Sequence, residues 1–221
     1  MKPIIICLLS LCICTSAVQA QNVRLNVYGN YVFNDKVESY YSSTNYFNGT
    51  LNGGFMWGAG LEFRLKKYYG AELLYLRQDT KAPVNYYDYN SLRSKSTTLD
   101  VGMNYIMLAG ARSFNANEKV EAYGGLMLGV AVIDAKNTQD QASYNATKFA
   151  WGLRIGANIW ASERVGIKLQ AQLLSATQAA GGSLYFGTGG AGAGVSTYSS
   201  VLQFCLGGGL TFAFGHGSSG H

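Results

Sequence analysis

The chain has 221 residues, a formal net charge of +5 at pH 7 and four cysteines. The positive charges are spread along the sequence without a basic run, which argues against a nucleic-acid-binding protein. Three cysteines lie close to the N-terminus, and Cys205 stands alone in the rest of the chain, so no disulfide framework is expected. Glycine is abundant, proline occurs twice, and no long stretch after the N-terminus keeps helical spacing. These features predict an all-β chain.

The N-terminal residues have the pattern of a signal peptide. Lys2 precedes an apolar run that is short for a membrane span, and Val18-Gln19-Ala20 offers compact residues at the cleavage subsites. A retained signal anchor is the alternative, and the absence of a second long apolar run speaks against it. We therefore predict a cleaved signal peptide at 1–20, one domain at 21–214 and a short tail at 215–221.

Residues 149–173 show the clearest periodicity in the chain. Apolar residues occupy every second position before and after a polar segment at 161–164, while the intervening positions carry charged, amide or glycine residues. Strict alternation on both sides of a short polar turn predicts an antiparallel hairpin with two unlike faces.

Six further segments alternate in the same way. In the fourth strand of the chain, the pattern puts Leu99, Val101 and Met103 on the apolar face and Asp100 on the polar face. In the third strand, Leu74 and Leu76 break the alternation. The six segments lie at about 22–33, 55–66, 69–79, 98–112, 119–133 and 200–214.

The connections between these strands alternate in length. They are short after the second, fourth and sixth strands, and long at 34–54, 80–97, 134–147 and 176–199. Pro83 lies in one of the long connections. Tight turns on one side and long loops on the other are typical of a barrel inserted into a membrane from one side.

Side-chain size indicates which face points outward. An eight-stranded barrel has an interior that its own side chains fill, and the many large residues of the apolar face, such as Trp57 and Trp151, would not fit there. We therefore expect the apolar face to contact lipid. A soluble periplasmic barrel is the alternative fold and would need the reverse arrangement.

The signal peptide, the eight alternating strands and the closing segment LTFAF resemble small outer-membrane β-barrel proteins of Gram-negative bacteria. These are the porin-like barrels, similar in architecture to the membrane domain of outer-membrane protein A and to outer-membrane protein X. The resemblance implies a monomeric, eight-stranded antiparallel up-and-down transmembrane barrel with a polar, filled lumen, in the outer membrane. It also implies that the barrel-assembly machinery reads the terminal aromatic residue, Phe214.

Eight charged residues fall on the lumen phase of the predicted strands. They are Arg24, Glu62, Arg64, Glu72, Asp100, Glu121, Arg154 and Lys168. Because isolated buried charges are costly, these groups must pair or be solvated. A gated ion path and a polar plug both use such residues, and the narrowness of eight strands favours the plug.

An enzyme is not predicted. Small barrels resembling outer-membrane acyltransferases, deacylases and proteases use a histidine near the extracellular rim, whereas the histidines here, His216 and His221, follow the last strand. We predict no catalytic residue, no metal site and no cofactor. Cys205 is interpreted as a small packing residue.

The long loops are the remaining candidate for function. Tyrosine occurs there among serine, asparagine and glycine, a composition typical of adaptable contact surfaces. The alternative is that exported loops are simply polar. The sequence thus predicts a structural or surface-contact role, with a small porin or transport channel as the second hypothesis. The candidate contact residues are Tyr40, Tyr41, Tyr46, Tyr86, Tyr87 and Tyr89.

Overall fold

The computed structural model describes residues 23–42, 45–66, 68–88, 93–115, 119–138, 143–177, 183–185, 192–194 and 201–214. The strands are β1 (Val23–Val32), β2 (Asp35–Ser42), β3 (Asn45–Leu51), β4 (Gly54–Lys66), β5 (Tyr69–Asp88), β6 (Arg93–Asn115), β7 (Val120–Asn137), β8 (Ser143–Trp160), β9 (Val165–Thr177), β10 (Ser183–Tyr185), β11 (Gly192–Gly194) and β12 (Val201–Phe214). In this part of the chain, no helix is long and apolar enough to cross a membrane. The predicted signal peptide and C-terminal tail lie outside the described residues.

Eight of the strands close into a barrel. Their order is β1, β4, β5, β6, β7, β8, β9 and β12, each antiparallel to its neighbours, and β12 pairs with β1 from Val32↔Cys205 to Val23↔Phe214. The all-β, up-and-down architecture predicted from the alternation is confirmed. Closure pairs both edges of every barrel strand, so the wall leaves no unpaired sheet edge where it meets lipid.

The 149–173 hairpin folds as its pattern predicts. It forms β8 and β9, joined at 161–164, with Leu153 and Ile167 exposed on the outer surface. Arg154 and Lys168 point inward and are buried. The outer surface continues around the barrel as a band of large apolar side chains. The outward face predicted from side-chain volume is therefore correct for β8 and β9.

The assignment is wrong for β6. Met103, Tyr105 and Met107 are buried in the lumen, whereas Ile106 and Leu108 are exposed on the outside. This strand carries large apolar residues on both faces, so periodicity could not decide its orientation. The same holds in β5, where Leu74 and Leu76 break the alternation because they pack inside the barrel.

Two of the predicted long loops are mostly strand. β5 and β6 remain paired as far as Asp88↔Arg93, and β7 and β8 as far as Lys136↔Ser143. The polar composition of these segments marks strands above the apolar band, where the outer face no longer meets lipid. Pro83 therefore lies inside β5, opposite Thr98 of β6. On its other edge, β5 pairs with β4 before this position and with β3 after it, and the gap between these two pairings tolerates the missing N–H of proline.

The connection between β1 and β4 contains a hairpin of its own. β2 pairs with β3, and β3 pairs with β5 through Gly49↔Val84 to Phe47↔Tyr86. The predicted loop at 34–54 is thus added to the sheet above the barrel. Of the predicted loop at 176–199, the described part beyond β9 is the short β10–β11 pair.

Candidate functional site: the lumen and the extended strands

Charged residues form a layer in the half of the lumen near the short turns. At its rim, Arg24 on β1 lies 3.1 Å from Glu121 on β7 and 3.6 Å from Glu62 on β4. Arg64 on β4 also pairs with Glu121. The indole N–H of Trp160 donates to Glu121 at 3.4 Å, and the Arg24 guanidinium stacks 4.6 Å from the Trp160 ring centroid. Two arginines and an indole thus converge on one carboxylate.

A second carboxylate organises the layer deeper in the barrel. Glu72 on β5 lies 2.5 Å from the Arg154 guanidinium, and the two side chains are 1% and 2% exposed. The Tyr28 hydroxyl donates to Glu72 at 2.5 Å, and the Asn26 amide donates to it at 2.8 Å. This arrangement supplies the compensation that a buried charge pair needs.

Lys168 is the remaining cation of the layer. Its Nζ lies 3.5 Å from Glu62, and its side chain is only 2% exposed. The ammonium also lies 4.7 Å from the ring centroid of Tyr123 and 5.7 Å from that of Tyr28. Cation–π contacts of this kind add to the Glu62 ion pair in stabilising a desolvated ammonium group.

Glycine makes the space for these groups. A Cβ added to Gly60 on β4 would approach the Glu72 carboxyl carbon to 2.7 Å, and one added to Gly156 on β8 would meet the Tyr123 ring at the same distance. Contacts this short do not occur for real side chains, so small residues on one strand create the room for large polar groups from others.

The ion pairs cross the lumen from wall to wall. β1 and β7 lie opposite each other in the closed strand order, so the Arg24–Glu121 pair spans the barrel. Arg154 and Glu72 come from β8 and β5, and Lys168 and Glu62 from β9 and β4, three steps apart around the wall in each case. The paired side chains therefore extend across the lumen in this half of the barrel.

Asp100 does not join this layer. Because the phase of β6 is the reverse of the predicted one, its side chain is on the outside of the barrel, 53% exposed and 3.9 Å from Lys81. The structure brings together the other seven residues of the predicted lumen network. With Asp100 outside, the layer holds four cations and three carboxylates.

The other half of the lumen is filled by apolar side chains, which sequence reasoning missed. This cluster contains Val32, Met56, Leu74, Leu76, Val101, Met103, Tyr105, Met107, Met127 and Leu174, together with several alanines and Cys205. The available signal was the broken alternation at Leu74 and Leu76. The expected polar lumen is therefore correct for the half near the short turns, whereas the other half is mostly apolar with buried glutamines among its side chains.

One chain of hydrogen bonds runs through the apolar half. The Tyr105 hydroxyl on β6 donates to Gln203 on β12 at 3.0 Å, and the Gln203 amide donates to Gln78 on β5 at 2.8 Å. Tyr105 and Gln203 come from opposite sides of the barrel. This link fixes the wall-to-wall distance where the packing is otherwise non-directional.

Cys205 is buried against this region as a free thiol. Among the described residues, no group of three or more histidine, cysteine, aspartate or glutamate side chains is placed to hold a metal ion.

The predicted contact tyrosines are partly described. Tyr40 and Tyr41 lie in β2, Tyr46 in β3, and Tyr86 and Tyr87 in β5, where only their backbone is described. Tyr89 lies outside the described residues. Phe214 ends β12 and is exposed on the outer surface, opposite Val23.

Comparison with known proteins agrees with this geometry. The model of the outer membrane protein beta-barrel domain family matches residues 5–198. Neisserial surface protein A is similar in structure, with 14% identity, 87% of this chain and 97% of that chain covered, and a TM-score of 0.54. OprG, an outer membrane protein of Pseudomonas aeruginosa, has 10% identity, 89% and 97% coverage, and a TM-score of 0.55.

The outer membrane protease OmpT of Escherichia coli also matches, with 9% identity, 89% and 98% coverage and a TM-score of 0.49. No curated protein is similar enough in sequence to be matched with the chain. At these identities, the likeness to Neisserial surface protein A and to OprG shows the fold alone. Because the family model covers most of its length, the chain belongs to the outer membrane protein beta-barrel domain family, and its barrel lies in the outer membrane.

Proposed function

We propose that this protein is a closed, non-enzymatic outer-membrane barrel that presents an extended β-sheet as a contact surface outside the cell. In outer-membrane barrels the short turns face the periplasm and the long connections face outward. On that basis the β2–β3 hairpin and the upper parts of β5–β8 belong to the external side. The family and most of the similar structures are non-enzymatic barrels, which agrees with the proposal.

The observation that carries the proposal is the pairing of the tyrosine-rich segments. Residues predicted to lie in two separate loops share one hydrogen-bonded sheet: Tyr40 is opposite Tyr46 in the β2–β3 pair, and Tyr86 is opposite Phe47 in the β3–β5 pair. A sheet holds aromatic residues at fixed spacing, which reduces the entropy that is lost when they engage a partner.

The base of the hairpin is tied to the barrel on two sides. The Asp35 carboxylate accepts a hydrogen bond from the Leu202 backbone N–H of β12 at 2.8 Å. On the other side, Thr80 of β5 donates to the Asn52 carbonyl at 2.6 Å, and the Asn52 N–H donates to the Lys81 carbonyl at 3.0 Å. These bonds favour a rigid support for the tyrosine-rich sheet.

The closed lumen argues against a channel as the main role. The charged layer crosses one half of the barrel, and the apolar cluster and the Tyr105–Gln203–Gln78 chain fill the other. Water and ions would have to displace both. A small porin therefore remains the competing hypothesis, without a structural feature in its favour among the described residues.

A triple substitution tests the proposal. Cells displaying Tyr40→Ala/Tyr46→Ala/Tyr86→Ala are expected to bind roughly tenfold less well than wild type, because aromatic contact residues dominate interface energies. Binding is measured to wells coated with laminin, fibronectin or collagen and to cultured epithelial cells. The control is Ser143→Ala/Asn145→Ala/Thr147→Ala on β8. Equal binding by both triple variants, or no binding by wild type to any probe, would reject the contact role.

A further inference from the structure

Two chains of hydrogen bonds begin at buried tyrosine hydroxyls and run through the lumen. One starts at the Tyr105 hydroxyl and ends at Gln78. The other starts at the Tyr123 hydroxyl, which donates to Gln170 at 3.0 Å, and the Gln170 amide donates to Asn30 at 3.0 Å. In each chain a hydroxyl donates first, so every later amide accepts with its oxygen and has its nitrogen left to donate.

Both chains end in an amide nitrogen that has no hydrogen-bond partner among the described residues. These nitrogens are Nε2 of Gln78 and Nδ2 of Asn30, and the two residues are 0% and 2% exposed. Their carbonyl oxygens already accept a hydrogen bond from the preceding amide of each chain. Because a buried donor without an acceptor is costly, the two nitrogens call for an acceptor that the protein itself does not supply.

The two chain ends lie at one level of the lumen. Asn30 on β1, Met56 on β4 and Gln78 on β5 are consecutive in one register row, and all three are buried inside the barrel. Neighbouring strands are about 5 Å apart, so the inward-pointing amides flank the Met56 side chain. Methionine is unbranched and adaptable, and it can therefore adjust to make room for a small ligand between the two amides.

A third donor without a partner borders this level from the charged layer. Nε of Arg154 is buried and has no hydrogen-bond partner in the described part of the chain. The same guanidinium lies 3.5 Å from the hydroxyl of Tyr28, which precedes Asn30 by two residues on β1. Arg154 is also opposite Gln172 in the register, and the Gln172 amide lies 4.0 Å from the Met56 sulfur. Donors from β1, β5 and β8 thus face the boundary between the charged and apolar halves.

The charge of the layer favours an anion as the missing acceptor. The described residues of the layer include four cations and three carboxylates, which leaves one positive charge in excess inside the barrel. An unbalanced charge in a low-dielectric interior is costly, and an anion would both balance it and accept hydrogen bonds from the donors. A water molecule would carry no charge and would need acceptors for its own protons.

We propose that a chloride ion is enclosed at this level when the barrel folds, and that Asn30, Gln78 and Arg154 hold it. The site offers amide and guanidinium N–H groups beside a thioether, which suits a small monatomic anion. Since side chains fill the lumen on both sides of this level, the ion is a structural ligand that joins the charged half to the apolar half.

The test is refolding of the full chain in sodium bromide, followed by crystallisation and anomalous diffraction. Wild type should show a bromide within hydrogen-bond distance of Asn30 Nδ2 and Gln78 Nε2. Asn30→Asp replaces the donor nitrogen with a carboxylate oxygen and supplies the missing negative charge, so this bromide should be absent. The control, Thr211→Val, removes a buried hydroxyl nearer the short turns, opposite Asn26, and should keep the bromide.

The dependence of stability on chloride gives a second readout. At constant ionic strength, with gluconate as the replacing anion, the urea midpoint of wild type should rise with chloride, because a ligand of the folded state stabilises it. Asn30→Asp should weaken the apparent chloride affinity by roughly tenfold or more, whereas Thr211→Val should match wild type.

Heat-modifiable gel migration verifies that each variant is folded, and Gln78→Glu makes the same exchange on β5 if Asn30→Asp folds poorly. A wild-type crystal with only water at this level, or with no bound species there, would overturn the proposal. Equal chloride dependence of the carboxylate variants and Thr211→Val would do so too.

Discussion

The two halves of the lumen are enclosed by the same eight strands but filled by different chemistry. Near the short turns, Glu72 and Glu121 each form an ion pair with an arginine, within a network of further ion pairs and hydrogen bonds. Towards the long connections, Leu74, Met103 and Met107 pack without charge. The side chains of both halves are buried, yet the charged half depends on carboxylates shared among a larger number of cations, whereas the apolar half depends mainly on filled volume.

This difference predicts how each half responds to substitution. A buried ion pair contributes little net stability when complete, but removal of one partner leaves an uncompensated charge. An apolar cluster loses stability in proportion to the atoms removed and tolerates swaps that conserve volume. The charged layer should therefore be intolerant of single changes and tolerant of paired ones, and the apolar layer should respond mainly to size.

The largest effect is expected from Glu72→Gln. The change leaves the Arg154 guanidinium buried without its carboxylate and should lower the free energy of unfolding by about 3–5 kcal/mol. Urea titration of the protein folded in lipid vesicles measures the loss. The control is Asp100→Asn, whose pairing with Lys81 is solvent-exposed, and its cost should stay below about 1 kcal/mol.

The paired variant Glu72→Leu/Arg154→Met converts part of the charged layer into an apolar one. It should regain more than half of the stability that Glu72→Gln loses, because both charges leave together. If the double variant is less stable than Glu72→Gln in the same urea titration, the two halves do not differ in the way described.

The apolar half should show a smaller, size-dependent loss. Leu74→Ala removes a fully buried side chain and is expected to cost about 2–5 kcal/mol, of which part is the cavity left behind. Met107→Leu conserves volume and should cost less than about 1.5 kcal/mol. Similar losses for the two variants in urea titration would mean that packing volume is not what holds this half together.

The smallest effect is expected from Tyr105→Phe. The substitution keeps the ring but leaves the buried Gln203 carbonyl oxygen without its donor, at a cost of about 1–3 kcal/mol. Urea titration of Tyr105→Phe beside Met107→Leu separates the hydrogen-bond contribution from packing. A loss as large as that of Glu72→Gln would show that the apolar half also depends on directional contacts.

The strand pattern, and with it the barrel, was predictable from sequence because lipid on one side and a narrow lumen on the other impose a period of two. The hairpin at 149–173 has residues of unlike size on its two faces, so its orientation followed from volume. β6 has apolar residues on both faces, so its orientation did not. The prediction that Asp100 faces the lumen is wrong for that reason.

The contacts within the charged layer were not predictable. Periodicity assigns Arg24 and Glu121 to the lumen, but their pairing depends on which strands lie opposite each other in the closed order. The extension of β5–β8 beyond the lipid-facing band was not predictable from sequence for a different reason. Above the lipid band the outer face is polar, so a paired strand there has the composition of a loop.

Single-channel recording in planar lipid bilayers tests the central claim, that paired side chains close the lumen in both halves. The wild-type protein should give at most small and rare conductance steps, with a general porin in the same membrane as the positive control. Large, steady openings of the wild-type protein would contradict the account.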